Sequence, residues 1–213
     1  MTRLIIFDFD GTLGDTRATI VYTMQATMRR LGLPVAGEAE IAATIGLPLE
    51  EGFAQLIPSF SPEDCLHCAA VYRAIFDERC KATAPELFPH VKETLDILHR
   101  RGHVMTVASS RLSRTLLAFL KDMGIAPYFS YVIGADNVPK AKPDPEPVLQ
   151  TLRTLGFSAS EATVVGDMPV DILMGRRAGA RTCGVTYGNA SRADLEAAGA
   201  DVILDDFADM VKL

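Results

Sequence analysis

The stretch Leu4-Ile5-Ile6-Phe7-Asp8-Phe9-Asp10-Gly11-Thr12-Leu13 decides the fold. Four apolar residues in a row, with a glycine soon after, predict a buried strand that breaks into a turn. In an open α/β sheet, ligands bind outside the carboxyl ends of the strands. Asp8 and Asp10 stand at such an end, two residues apart. Two acids beside exposed backbone suit a hard divalent cation and a phosphoryl group. Alone, the pair reads equally well as an acidic turn, so the weight falls on what lies downstream.

Outward from this strand, apolar runs recur at Val104 to Ala108, Tyr131 to Gly134, Thr163 to Val165, Thr182 to Val185 and Val202 to Leu204. Between them lie segments with helical faces: Val91, Leu95 and Leu98; Leu116, Leu120 and Met123; Val148, Leu152 and Leu155. Gly102, Gly124 and Gly156 fall where these helices should stop. Strand and helix in alternation predict an α/β fold, a Rossmann-like parallel sheet with helices on both faces. One stretch departs from this pattern. Thr16 to Leu31, Leu49 to Ile57 and Pro62 to Thr83 read as helices with no strand among them, and Ala84 to Pro89 reads as the return linker. The expected organisation is a core of residues 1–14 and 85–213 with a small helical cap, 15–84, inserted after the first strand. A module entering there is placed to act as a lid over the site; packing on the sheet edge is the plainer alternative.

Composition narrows the class. The chain has 213 residues, 48% of them hydrophobic, enough for a sizeable core. A formal net charge of −6 offers no basic face for nucleic acid. No apolar run approaches the ~20 residues of a membrane span. The N-terminus enters a strand without a signal-peptide pattern, so a cytoplasmic location is expected. Cys65-Leu66-His67-Cys68 has half the spacing of a zinc site, but no second pair matches it, and reduced thiols are the simpler reading.

Three further clusters stand at strand ends. Ser109 and Ser110 follow the second long apolar run, where a hydroxyl and free amides can hold a phosphate oxygen. Lys142-Pro143-Asp144-Pro145 offers a point charge to phosphate, with Lys140 as a rival. Val164-Val165-Gly166-Asp167-Met168-Pro169-Val170-Asp171 is a strand, a tight turn and a helix start, with Asp167 at the strand end and Asp171 one turn into the helix. Each alone could be a solvated turn, a surface lysine or an acid at a helix N-terminus.

Taken in order, D-F-D-G-T-L, the serine, K-P-D-P and G-D-M-P-V-D make the chain resemble the haloacid dehalogenase superfamily along nearly its whole length. The likeness is greatest to its phosphoglycolate-phosphatase-like branch. The resemblance implies that Asp8 is the nucleophile and forms an aspartyl-phosphate, and that Asp10 is the general acid, then the base. It implies Mg2+ held by Asp8, the Asp10 backbone carbonyl and Asp167, with Asp171 behind them. Ser109 and Lys142 would bind the phosphoryl oxygens, with Gly11 and Ser110 beside them. The turn Thr44-Ile45-Gly46-Leu47-Pro48 resembles a substrate-facing loop, and Gly46 is expected to close over the leaving group. The sheet order of such families places the first and fourth core strands side by side.

The implied activity is magnesium-dependent hydrolysis of a small phosphorylated metabolite, with phosphoglycolate as the lead substrate. A β-phosphoglucomutase-like phosphotransferase, an inorganic pyrophosphatase and an inactive phosphate-binding protein are the alternatives. Dehalogenation is disfavoured, because enzymes of that kind lack the second acid that Asp10 supplies. A Schiff-base phosphonate hydrolase would need a cap lysine, and Lys81 is the only one there. A receiver domain would need its phosphoacceptor where Ser109 stands. No P-loop and no G-x-S-x-G occur. Arg111 stands where relatives often carry lysine and receives no role. Gly14, where a bulkier residue is frequent, is expected to affect the cap hinge or leave room near the substrate.

Overall fold

The computed structural model describes residues 3–82 and 85–213, with the side chains of 81 and 82 outside that description. Its centre is β1 (Leu4–Phe7), whose four residues are all buried. Side chains alternate across a strand. Ile5 and Phe7 accordingly join one hydrophobic cluster, and Leu4 and Ile6 join another. A strand covered on both faces must sit inside a sheet wrapped by helices, which is why its apolar run is unbroken.

After β1 come the short β2 (Gly14–Asp15), the helices α1 (Arg17–Arg30), α2 (Glu38–Ala42), α3 (Leu49–Leu56) and α4 (Pro62–Ala82), and the short β3 (Glu86–Leu87). The chain then alternates: α5 (Val91–Arg100), β4 (Val104–Ala108), α6 (Ser113–Asp122), β5 (Tyr131–Ile133), α7 (Glu146–Leu155), β6 (Ala162–Gly166), α8 (Pro169–Arg177), β7 (Arg181–Val185), α9 (Arg192–Ala198) and β8 (Val202–Leu204). Six strands form one parallel sheet in the order β5-β4-β1-β6-β7-β8. β1 therefore lies between β4 and β6, where the direction of winding reverses. This is the switch point at which α/β sheets open a crevice. Phe7 pairs with Val165, so Asp8 and Asp167 leave adjacent strands close together.

The helical faces read from sequence are the buried ones. α5 buries Val91, Leu95 and Leu98, α6 buries Leu116 and Leu120, and α7 buries Val148 and Leu152. α7 ends at Gly156 in the left-handed region, φ +73°, a conformation that glycine adopts without steric cost.

Between β1 and α5 the structure adds two features to the sequence reading. β2 and β3 pair antiparallel, Gly14 with Leu87 and Asp15 with Glu86, so the expected linker is partly a two-stranded ribbon. Two residues per strand are too few to show an alternating pattern. α2, five residues long, is likewise too short to show a helical period. Thr83 and Ala84, the end of the expected helix and the start of the expected linker, lie outside the described residues. Lys81 lies within α4, with its side chain outside that description. α1 packs along α4, and α3 against α4. Gly14 leaves room for a core ring: a side chain there would meet the Phe9 ring at 3.0 Å. Among the described residues, no helix is long and apolar enough to cross a membrane.

Candidate active site

Three buried carboxylates gather at the carboxyl end of the central strands. Asp8 follows β1, Asp167 follows β6, and Asp171 sits in the first turn of α8; each contributes an oxygen within 4.8 Å of the other two. Lys142, from the loop before α7, places Nζ 2.7 Å from Asp8 Oδ1 and 2.7 Å from Asp171 Oδ1. Its side chain is only 2% exposed. Burial disfavours its charge, but Asp171 and Asp8 outweigh that and hold its pKa above that of an ordinary lysine. The second oxygen of Asp171 accepts from the Met168 backbone N–H at 3.1 Å, capping α8. Asp171 thus anchors the lysine and the helix at once.

Asp167 is fixed from three sides. Thr12 Oγ1 donates to its Oδ1 at 3.0 Å, and the backbone N–H and Nδ2 of Asn189 donate to its Oδ2 at 2.8 and 2.9 Å. Burial, with Asp171 nearby, pushes its pKa up to about 7 against those donors. Burial also raises Asp8 well above the usual carboxylate range, with Lys142 pulling the other way. The packing tolerates no side chain at Gly11, which adopts φ +87°. A Cβ there would collide with the Asp167 carboxylate and the Asn189 amide. Asn189 is the residue that sequence reading missed; it follows β7 in an unremarkable turn and carries no motif.

Asp10 faces the other way. Its carboxylate accepts from Thr16 Oγ1 at 2.6 Å and from Arg111 Nε at 3.1 Å, and a second Arg111 nitrogen completes a two-pronged pair. The Arg111 guanidinium lies 4.7 Å from the Phe76 ring centre and 4.9 Å from that of Phe119, with Phe9 farther off. Arg111, left without a role by the sequence, therefore faces the site and links α4 to the core through Phe76. Burial opposes its charge, but Asp10 outweighs that and raises its pKa.

Ser109 is buried at the end of β4, and its Oγ accepts from the Arg111 backbone N–H at 3.2 Å. Ser110 Oγ donates to the Gly46 carbonyl at 2.6 Å, joining the strand end to the turn between α2 and α3. Asp8, Asp10, Ser109, Ser110, Arg111 and Gly46 all line one cavity of about 490 Å3 between the carboxyl end of the sheet and α1, α3, α4 and the turn before α3. The structure so brings Asp8, Lys142, Asp167 and Asp171 into contact range, sets Asp10 and Ser109 at the cavity with Asp8, and gives the Ser110 hydroxyl a backbone partner.

The acid cluster fits a hard divalent cation. Three carboxylates against one ammonium leave a net charge of minus two when all are ionised, deep in the protein. Buried charge of that kind needs a counter-charge. Asp8 Oδ2 is buried and accepts no hydrogen bond among the described residues, so an oxygen-seeking ion has an open donor atom.

A switch-point crevice that holds a buried acid cluster, a lysine and a strand-end serine defines an α/β enzyme built to handle a charged oxyanion. The comparisons agree. Residues 5–185 match the model of the haloacid dehalogenase-like hydrolase family, and the chain belongs to that family. It is 41% identical over 214 residues to a Dickeya dadantii protein named "Probable phosphatase IndB", covering 99% of this chain and 93% of that one. It is 31% identical to a Vibrio cholerae phosphoglycolate phosphatase, over 99% of this chain and 96% of that one. A Bacillus velezensis pyrophosphatase, PpaX, is 33% identical over 98% and 94%. Among solved structures, a haloacid dehalogenase-like hydrolase from Streptococcus pneumoniae superposes with a TM-score of 0.86 at 26% identity, over 99% of this chain and 97% of that one.

Proposed function

We propose that this chain hydrolyses a small phosphomonoester in two steps, through a phosphoaspartate on Asp8 and with Mg2+ as cofactor. The observation that carries the reading is the split state of the Asp8 carboxylate. Oδ1 is held at 2.7 Å by Lys142, and Oδ2 is buried and unpartnered. One oxygen is oriented by the lysine and the other has no partner within the described residues, so the carboxylate has room both to meet a cation and to present an oxygen to phosphorus.

Asp8 and Asp167, with the Asp10 backbone carbonyl, are the residues to hold Mg2+, which when bound supplies positive charge against the repulsion between a carboxylate and a phosphate dianion. Lys142 adds a second positive charge at the same place, and Asp171 keeps that lysine aimed. Ser109 holds a phosphoryl oxygen from the end of β4. In the first step the Asp8 oxygen bonds to phosphorus, the bond from phosphorus to the leaving oxygen breaks, and Asp10 gives that oxygen its proton. In the second step water bonds to phosphorus, Asp10 takes the water's proton, and the bond to Asp8 breaks. Dividing one hard displacement into two in this way is covalent catalysis. Thr16 and Arg111 hold the Asp10 carboxylate in the state described, so Asp10 must turn from them to reach the leaving oxygen.

Residues 1–14 and 85–213 form the catalytic core in this reading, and 15–84 the helical cap. The cavity supports it, because Met24, Tyr72 and Gly46 from the insert face Asp8 and Ser109 from the sheet. Closure of such a cap excludes water from the first step. Relatives of similar identity carry different substrates in their names, phosphoglycolate in one and pyrophosphate in another, so the leaving group is decided by this chain's own cavity.

The test is release of inorganic phosphate from a panel of phosphomonoesters. Wild type should act with Mg2+ and stop with chelator, and Asp8→Asn should lose activity by at least about a thousandfold, the scale of a removed nucleophile. Retained turnover in Asp8→Asn would refute the reading.

A further inference from the structure

We propose that the leaving-group half of the cavity selects phosphomonoesters of an uncharged alcohol with an apolar, ring-sized body, and that it discriminates against anionic leaving groups such as glycolate or a second phosphate. The proposal rests on the phosphatase reading above and concerns only the part of the substrate beyond the scissile bond.

Size is the first argument. A cavity of about 490 Å3 lies within the ~300–1,000 Å3 of small-molecule sites. Glycolate has a handful of heavy atoms and would leave most of that space to water. The walls are the second argument. Met24, Ile45, Tyr72 and Phe76 face the cavity from the helical insert, and Leu112 and Val138 face it from the core. Water against such walls is displaced favourably by an apolar body and poorly by a carboxylate.

Charge is the third and decisive argument. Three arginines line the cavity, and each already has an acid: Arg73 with Glu50 at 2.6 Å, Arg114 with Asp77 at 3.4 Å, and Arg111 with Asp10. Glu51 and Asp136 line it as well, and among the described residues no lysine does. Beyond Asp8, five carboxylates face three guanidinium groups; with Asp10 protonated for its role as acid, four still face three. An anionic leaving group enters a region of its own sign, must compete with Glu50 for Arg73 and with Asp77 for Arg114, and meets Arg111 unpaired only once Asp10 has turned away. Arg111 is the least free to respond, being 10% exposed and stacked against Phe76 and Phe119. A neutral ring meets none of these obstacles, and Tyr72 and Phe76 offer it aromatic surface.

The experiment compares leaving groups that differ in charge and body, three of them alkyl esters of phosphate and one, pyrophosphate, an anhydride. Full-length protein with Mg2+ is given benzyl phosphate, phosphoglycolate, the amide of phosphoglycolate and pyrophosphate, and kcat/KM is read from phosphate release. Benzyl phosphate should exceed phosphoglycolate by at least about tenfold, the neutral amide should also exceed phosphoglycolate, and pyrophosphate should be poorest. Glu50→Gln releases Arg73 from its acid and should raise the ratio of phosphoglycolate to benzyl phosphate at least about threefold. Phosphoglycolate or pyrophosphate equal to or better than benzyl phosphate would overturn the inference and leave the phosphatase reading intact. An unchanged ratio in Glu50→Gln would overturn the charge argument. No Asp8-dependent release from any of the four would overturn the phosphatase reading, and the inference would fall with it.

Discussion

Replacing Lys142 with methionine keeps most of the side chain's length and apolar stem but removes its charge. In the native arrangement Nζ stands 2.7 Å from both Asp8 and Asp171, and the exposures of the three side chains are 2%, 3% and 0%. Loss of the ammonium leaves two buried carboxylates facing each other and Asp167 with no cation between them. Breaking a buried pair by removing one partner costs about 3–5 kcal/mol. In a chain of this size each kcal/mol moves the melting temperature by roughly 2–4 °C, so the variant should melt about 6–20 °C lower. The acids have one escape, which is to take up protons. The loss should therefore be largest at pH 8 and should shrink toward pH 5, where protonation relieves the repulsion. Thermal melts by circular dichroism, in chelator, at both pH values measure this. A variant within about 2 °C of wild type at pH 8, or a loss just as large at pH 5, would refute the claim that Lys142 neutralises this cluster.

Two further outcomes follow from the same geometry. Gly11→Ala forces a Cβ against the Asp167 carboxylate and the Asn189 amide at a φ of +87°, and the left-handed backbone alone costs about 1–2 kcal/mol. Calorimetric titration should show Mg2+ affinity falling by at least about tenfold, and an unchanged affinity would show that the turn does not set the Asp167 position. In chelated wild type, burial raises the Asp167 pKa from 3.8 to about 7. A folded-state value above the unfolded one means stability present at low pH and lost as pH rises through that window. The melting temperature should fall between about pH 4 and 7 from this group, and added Mg2+ should raise it more at pH 8 than at pH 5; an equal rise at both would count against the acids as the ion's ligands.

The central sheet and the acid cluster were legible in sequence because each is written by local rules. An unbroken apolar run marks a strand buried on both faces, and its last residue marks the ligand edge, so Asp8, Ser109 and Asp167 could be placed from Phe7, Ala108 and Gly166. What escaped was long-range or very short. The β2–β3 ribbon has two residues per strand and no period to detect. Asn189 reaches Asp167 across 22 positions, and nothing in Tyr187-Gly188-Asn189 announces it. Arg111 pairs with Asp10 across 101 positions and stacks on rings from α4 and α6, an arrangement fixed only when those helices pack. Gly14, expected to affect the cap hinge or leave room near the substrate, stands in the β2–β3 ribbon, where a Cβ would lie 3.0 Å from the Phe9 ring, a neighbour that the sequence does not indicate. A missing side chain records that something is close without recording what.

The two ends of the cavity are built on opposite electrostatic plans, and that contrast explains why one was readable and the other was not. At the phosphoryl end the charges are unbalanced by design of the chain: three acids against one lysine, an orphaned Asp8 oxygen, and donors trained on Asp167. That imbalance calls for a cation and an oxyanion, and it comes from residues tied to strand ends, so spacing in the sequence reveals it. At the leaving-group end the arginines are each paired within the protein, by Glu50, Asp10 and Asp77, and the rest of the wall combines apolar side chains with Glu51 and Asp136. A charge answered inside the protein offers little to an incoming anion. In the proposed reading, recognition there comes from shape and apolar contact supplied by helices whose mutual packing the sequence does not spell out. On the same reading the sheet sets the chemistry of the site, and the insert between β2 and β3, with Leu112 and Val138 from the core, sets its choice of alcohol.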